Sequence, residues 1–154
     1  GEYIAAPCVH AGGGSWGCAK SDIAAGSFDH ITTLSKQARA AALGFEVAHI
    51  GLNCRDAEDS LAVCQKLSQA FDFPVKEGNS SNFASSSIEV MKSMYLGTHG
   101  HVAVRTNSIS LALAELERRG FTADLETAKY KGGRMTAVYL NGEFGGFAVH
   151  LLQK

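Results

Sequence analysis

From Phe45 onward the chain states one pattern twice, and this duplication constrains the fold more than any other feature. "FEVAHIGLNCRDAEDSLAVCQKLSQAFDF" reads as a strand, a capped turn and an amphipathic helix. "GHVAVRTNSISLALAELERRGF" repeats that order about fifty residues later. His49 and His101 each sit early in the strand of their repeat, 52 positions apart. In the second helix Ser108 is the expected N-cap, Ile109, Leu113 and Leu116 form the expected buried stripe, and Gly120 ends it. Three strand-like pieces follow each helix. They are "FPVKEG", "SNFAS" and "SIEVMKS" in the first half, and "FTADLETAKY", "RMTAVYL" and "GGFAVHLLQ" in the second, where "KGGR" (Lys131 to Arg134) makes a hairpin turn. Each half is therefore β-α-β-β-β, with repeats at 45–99 and 100–154. Two such units side by side curl into one open, cup-like sheet of an α+β domain.

The first 44 residues differ in character. "EYIAAPCVHAGGGSW" reads as a short strand, Cys8 to Ala11, running into a glycine turn. "SDIAAGSFDHITTLSKQARAAALG" then reads as one helix with Phe28, Ile31, Leu34 and Ala38 on a common face and Gly44 as its stop. The change in composition after Gly44 places a boundary between 1–44 and 45–154.

Bulk properties exclude several function classes. A chain of 154 residues, 45% hydrophobic, supports one core plus an appendage. A net charge of -1, with no run of like charges, offers no basic stripe against phosphate, so neither nucleic acid nor an anionic membrane surface is an expected partner. Apolar stretches fall far short of the roughly 18 residues of a membrane span, and no charged region leads into an apolar core as in a signal peptide. The start at Gly1 rather than Met suggests a processed or excised chain. Cys8, Cys18, Cys54 and Cys64 form no CxxC pair and read as reduced thiols of a cytoplasmic protein. Burial is the expected fate of Cys54 and Cys64.

The chemistry-bearing residues recur at matching places. The first strands offer His49 and His101; the last strands offer Glu89 in "SIEVM" and His150 in "FAVHLL". Ile88 and Val90 flank Glu89, and Val149 and Leu151 flank His150, so both polar groups carry a desolvation cost unless partnered. One cation shared by all four resolves these costs together. Three imidazoles and a carboxylate suit Zn, Ni, Co, Mn or Fe(II) with positions left open for water or substrate. Such an ion polarises a carbonyl or acidifies bound water. Glu89 is either a ligand or the catalytic base. His99 reads as loop.

On these grounds residues 45–154 resemble the vicinal oxygen chelate superfamily, which includes glyoxalase I, methylmalonyl-CoA epimerase, fosfomycin-resistance enzymes and extradiol dioxygenases. The resemblance spans about 110 residues and rests on the doubled layout with its ligand positions. It implies metal ligands at His49, Glu89, His101 and His150. It also implies a metal-dependent lyase, isomerase or epimerase acting on a small oxo- or hydroxy-acid through two vicinal oxygens. His150 departs from the pattern, because glyoxalase I and the epimerase carry a glutamate there. The alternative is a non-catalytic module that binds a metabolite or mediates dimerisation. A homodimer is expected in either case, since exposed strand edges invite completion by a second copy.

Residues Pro7 to Trp16, "PCVHAGGGSW", resemble the ending of the (β/α)8-barrel aldolases that cleave 2-keto-3-deoxy-6-phosphogluconate and 4-hydroxy-2-oxoglutarate, a likeness extending over about 42 residues. It implies that Gly13, Gly14 and Ser15 bind the substrate phosphate in a parent aldolase, and that residues 1–44 are a strand-helix remnant of its barrel. The lysine-bearing barrel strands of a Schiff-base aldolase are missing from this sequence, and one strand and helix close no barrel. The chain is accordingly expected to cleave no keto-deoxy-phosphogluconate. Pyruvate-forming cleavage that is lost on borohydride trapping would contradict this.

Overall fold

The computed structural model describes residues 12–154. The strand expected over Cys8–Ala11 lies outside the described residues. A single 3-10 turn, Ser15–Gly17, precedes the first helix. The helix expected as one piece is two: α1 (Lys20–Ala24) and α2 (Phe28–Leu43). The break is at Gly26, whose φ of 66° is left-handed, and the Ser27 N–H turns back to the Asp22 carbonyl at 2.8 Å. Of the expected stripe, Ile31, Leu34 and Ala38 are half-buried, whereas Phe28 is 64% exposed. Gly44 ends α2 with φ 57° and its N–H on the Ala40 carbonyl.

The last carbonyls of α2 would otherwise go unpaired, and the second repeat satisfies them. The Asn107 amide donates to the Ala41 and Ala42 carbonyls. The Thr106 hydroxyl and Asn107 N–H both donate to Leu43, at 2.7 and 2.9 Å. Gly44 leaves room for this clamp, since a Cβ there would overlap the Asn107 amide.

The duplicated unit follows the expected order. The first copy is β1 (Glu46–Leu52), α3 (Ala57–Phe71), β2 (Val75–Glu77), β3 (Ser81–Ala84) and β4 (Ile88–Met91). The second is β5 (Gly100–Thr106), α4 (Ile109–Arg118), β6 (Ala123–Lys131), β7 (Arg134–Phe144) and β8 (Phe147–Gln153). Asp56 caps α3 by accepting the Asp59 N–H, and Ser108 caps α4 by accepting that of Leu111. The strands form one eight-stranded sheet in the order β2-β3-β4-β1-β5-β8-β7-β6. Within each copy the first and last strands are parallel neighbours, and β1 joins β5 antiparallel at the centre.

Both long helices of the repeats cover the same face. Cys64 of α3 packs with Ala84 and Val90; Ile109 and Ala112 of α4 pack with Val138, Leu140 and Leu151, and Leu43 of α2 joins this second cluster. The expected α4 stripe shifts accordingly. Ile109 is buried, but Ala112 takes the deepest place, while Leu113 and Leu116 are half-buried against the cluster. No helix among the described residues is long and apolar enough to cross a membrane.

Helices α2, α3 and α4 all pack on that one face, and the opposite face receives every second side chain of the strands. Gly51 makes one feature of that face possible, because a Cβ there would overlap the His101 imidazole. Gly51→Ala is expected to lower unfolding free energy by about 1–3 kcal/mol, the usual cost of overpacking, read as an earlier urea midpoint at unchanged slope. Unaltered stability would show that the ring relocates freely.

Candidate metal centre

Strand register alone brings the four expected residues to one face. Gly51 pairs with Glu89 on β4 and with His101 on β5; His49, two residues from Gly51, pairs with Ala103; Ala103 pairs with His150 on β8. Paired residues share a face, as do residues two apart. His49, Glu89, His101 and His150 therefore project together from the four central strands.

Their tips converge. His49 Nε2 lies 3.0 Å from Glu89 Oε2, His101 Nε2 lies 3.2 Å from the same oxygen, and the two nitrogens are 3.2 Å apart. Ligand-capable nitrogens of His49, His101 and His150 all fall within 4.8 Å of one another, an arrangement that can hold a metal ion. Two ligands at right angles around an ion about 2.1 Å away are about 3.0 Å apart, which matches the separations among His49, Glu89 and His101.

Proton counting points the same way. If both imidazoles donate to Glu89, their N–H groups also crowd each other across 3.2 Å. His150 adds a third ring, 4.9 Å from His101 and 5.7 Å from His49 between centroids. Its Nε2 is buried without a hydrogen-bond partner, as is Nδ1 of His101. His101 and His150 are only 3% and 9% exposed, so water offers little relief. A central cation would take the facing nitrogens, Nε2 of His49 and His101 and one of His150, as ligands with the Glu89 oxygen, and the residues present fit one.

Electrostatics sort the roles. Burial pushes the Glu89 carboxyl up, but hydrogen bonds with His101, His49 and Ser81, together with the nearby His49 charge, hold it well below the usual carboxylate range. Burial first, then the neighbouring His101 and His49, push His150 down to about 4 against the pull of Glu89, so it is neutral near pH 7 and free to ligate.

Sequence reasoning missed the residues that orient these four. Ser81 on β3 donates to Glu89 Oε1 at 2.5 Å. Tyr139 on β7, paired with His150, stacks on it with centroids 4.7 Å apart and planes at 19°. Burial, with Tyr95 and Glu89 nearby, pushes its hydroxyl up to about 12, so it stays protonated. Alternation along "RMTAVYL" carried that signal, since Tyr139 falls opposite His150 once the hairpin is registered.

Other candidates lie elsewhere. His99 sits in the loop before β5, its ring against Phe147 and Gly146. Gly13, Gly14 and Ser15 are exposed in the N-terminal turn and are not part of the cluster. Cys54 and Cys64 are buried thiols that burial pushes up in pKa, a setting that suppresses thiolate chemistry.

No family model matches the chain, and no curated protein matches it. Solved structures do. A hypothetical protein from Bacillus halodurans aligns with a TM-score of 0.51 at 14% identity, covering 71% of this chain and 94% of its own. A single-residue variant of Streptomyces coelicolor methylmalonyl-CoA epimerase, in complex with 2-nitronate-propionyl-CoA, aligns with a TM-score of 0.51 at 15% identity over the same shares. A methylmalonyl-CoA epimerase in complex with methylmalonyl-CoA and NH4+ aligns at 0.50 and 15%, covering 70% of this chain and 93% of its own. With one open eight-stranded sheet and helices on one face, the chain has the α+β, vicinal oxygen chelate fold of these epimerases.

Proposed function

We propose that residues 45–154 form a metal-dependent isomerase, epimerase or lyase acting on a small oxo- or hydroxy-acid that chelates through two vicinal oxygens. The observation that carries this reading is the convergence of three imidazoles and one carboxylate, with a buried, partnerless nitrogen on His150. His49, His101 and His150 hold the ion and Glu89 completes the set. Zn, Ni, Co, Mn and Fe(II) all suit these donors. When bound, such an ion polarises the substrate carbonyl and stabilises negative charge developing on its oxygen.

The chain's own residues supply the rest. Ser81 fixes Oε1 of Glu89, which leaves Oε2 turned toward His49 and His101 as the oxygen available for chemistry. Glu89 Oε2 takes a proton from the carbon beside the carbonyl and returns it. Against burial, hydrogen bonds from His101, His49 and Ser81 hold its pKa low in this structure, and imidazole nitrogens engaged by an ion would no longer donate to it. His150 stands where related enzymes carry a second carboxylate. Glu89 is then the only carboxylate in the cluster, which suits proton return by the same group more than delivery to the opposite face. Residues 1–44 are read as an aldolase-like remnant, and the exposed edges β2 and β6 as sites where a homodimer would form.

The purified chain is expected to retain about one equivalent of a first-row divalent metal by elemental analysis. His49→Ala and Glu89→Ala should each weaken retention about tenfold or more, at least the loss known for disturbed outer-shell partners. A metal-free chain with its sheet intact would favour the binding-module alternative.

The pKa of His150 gives a second expectation. Its folded value, about 4, lies below the ordinary 6.5, so the unfolded chain takes up a proton first as pH falls. The stabilisation is complete above about pH 6.5 and is lost toward about pH 4, and the lowered Glu89 adds a loss of the same sign at lower pH. Thermal melts of chelator-treated protein should show Tm falling over that interval, with a shallower slope in His150→Asn. Equal slopes in both proteins would contradict the assignment.

A further inference from the structure

Beside the histidine cluster lies a cleft of about 190 Å³ between loop 92–99, β7 and β8. Two of its walls belong to the cluster's surroundings. Tyr139 lines it and stacks on His150; Ala148 lines it and pairs with His101. The cleft therefore adjoins the cluster across Tyr139 and Ala148.

Its outer wall is held in place by hydrogen bonds. The Asn53 amide donates to the Tyr95 and Gly97 carbonyls at 3.0 and 2.8 Å. The Thr98 N–H and hydroxyl both donate to the Glu143 carboxylate, each at 2.9 Å, and the His99 N–H donates to the Gly146 carbonyl at 2.8 Å. Gly97 has a φ of 85°, and a Cβ there would overlap the Gly100 carbonyl, so the loop passes close against the sheet. A wall pinned at three points is preformed rather than induced.

The lining has a definite charge. Asp124 and Glu143 contribute carboxylates, Asn141 an amide, and Leu96 and Leu140 apolar surface. None of the residues lining the cleft is basic. The volume is below the several hundred Å³ of a cofactor-sized site.

We propose that this cleft receives the part of the substrate that does not chelate, and that it selects a short, uncharged, hydroxyl-bearing tail over an anionic one. The assignment rests on the chelate reading above. Its physical basis is repulsion: a phosphate or carboxylate on the tail would enter a cleft lined by Asp124 and Glu143 and by no basic residue, and like charges brought within about 4 Å repel by several times thermal energy at an effective dielectric constant of about 20.

The test uses the full chain loaded with zinc, titrated calorimetrically with glycerate and with 3-phosphoglycerate. The two probes present one 2-hydroxy-acid head and differ in the tail. Glycerate is expected to bind about tenfold or more tightly than 3-phosphoglycerate. Leu96→Lys, at a position 39% exposed and outside the ion cluster, is expected to raise 3-phosphoglycerate affinity about fivefold or more while leaving zinc stoichiometry unchanged. Zinc retention without discrimination between the probes, or a phosphate preference in the unsubstituted chain, overturns the tail assignment alone. An unresponsive Leu96→Lys does the same. Failure to retain zinc overturns the chelate reading, and the tail assignment falls with it.

Discussion

Three imidazoles and a carboxylate share a small, nearly dry patch of sheet, and the four groups lack enough complementary donors and acceptors to satisfy one another. Glu89 is well served, with Ser81 on one oxygen and two imidazoles on the other. The histidines are not, because Nε2 of His150 and Nδ1 of His101 are both buried and unpaired. A buried polar atom without a partner costs on the order of 1–3 kcal/mol. Two of the four buried side-chain atoms left unpartnered among the described residues belong to this cluster. The cluster is therefore the point of tension in the molecule, and much of the surrounding structure serves to hold it in register.

That register is set on the other face. Side chains alternate along each strand, so a slip of one residue would move all four groups among the helices. The clusters around Cys64 and Val90, and around Ile109 and Val138, prevent such slips by filling the helix face of each repeat with matched apolar surface. Leu43 belongs to the second cluster, and the Thr106–Asn107 corner caps the end of α2, so the N-terminal helix is tied to the strand that carries His101. Gly51 completes the arrangement by leaving the space that the His101 ring fills.

Element order was legible because duplication and alternation are local signals. Two copies of strand, helix and three strands could be read from apolar spacing, and the flanking Ile88, Val90, Val149 and Leu151 marked Glu89 and His150 as polar groups in apolar company. What stayed hidden depends on pairing between distant strands. Tyr139 joins the cluster only through the β7–β8 ladder, and Ser81 reaches Glu89 across β3–β4. The division of the N-terminal helix at Gly26 was missed for a different reason. A single glycine inside a periodic stretch reads as a tolerated weakness, and only its left-handed φ reveals a stop. In α4 the fully buried positions are Ile109 and Ala112, while Leu113 is only half-buried, because which helical positions meet the sheet depends on packing that periodicity does not encode.

Charge balance links the cluster to the cleft beside it. On the proposed ligand set, a divalent ion held by three neutral imidazoles and one carboxylate keeps a net charge of +1; a glutamate in place of His150 would cancel it. The remaining charge attracts the carboxylate head of an oxo- or hydroxy-acid and lowers the cost of charge building on its oxygen. On the far side of Tyr139 the sign reverses, where Asp124 and Glu143 line a cleft with no basic residue. With an ion in place, a small acid approaching this face would meet attraction at one end of the site and repulsion at the other, and the two fields together would orient it head-first.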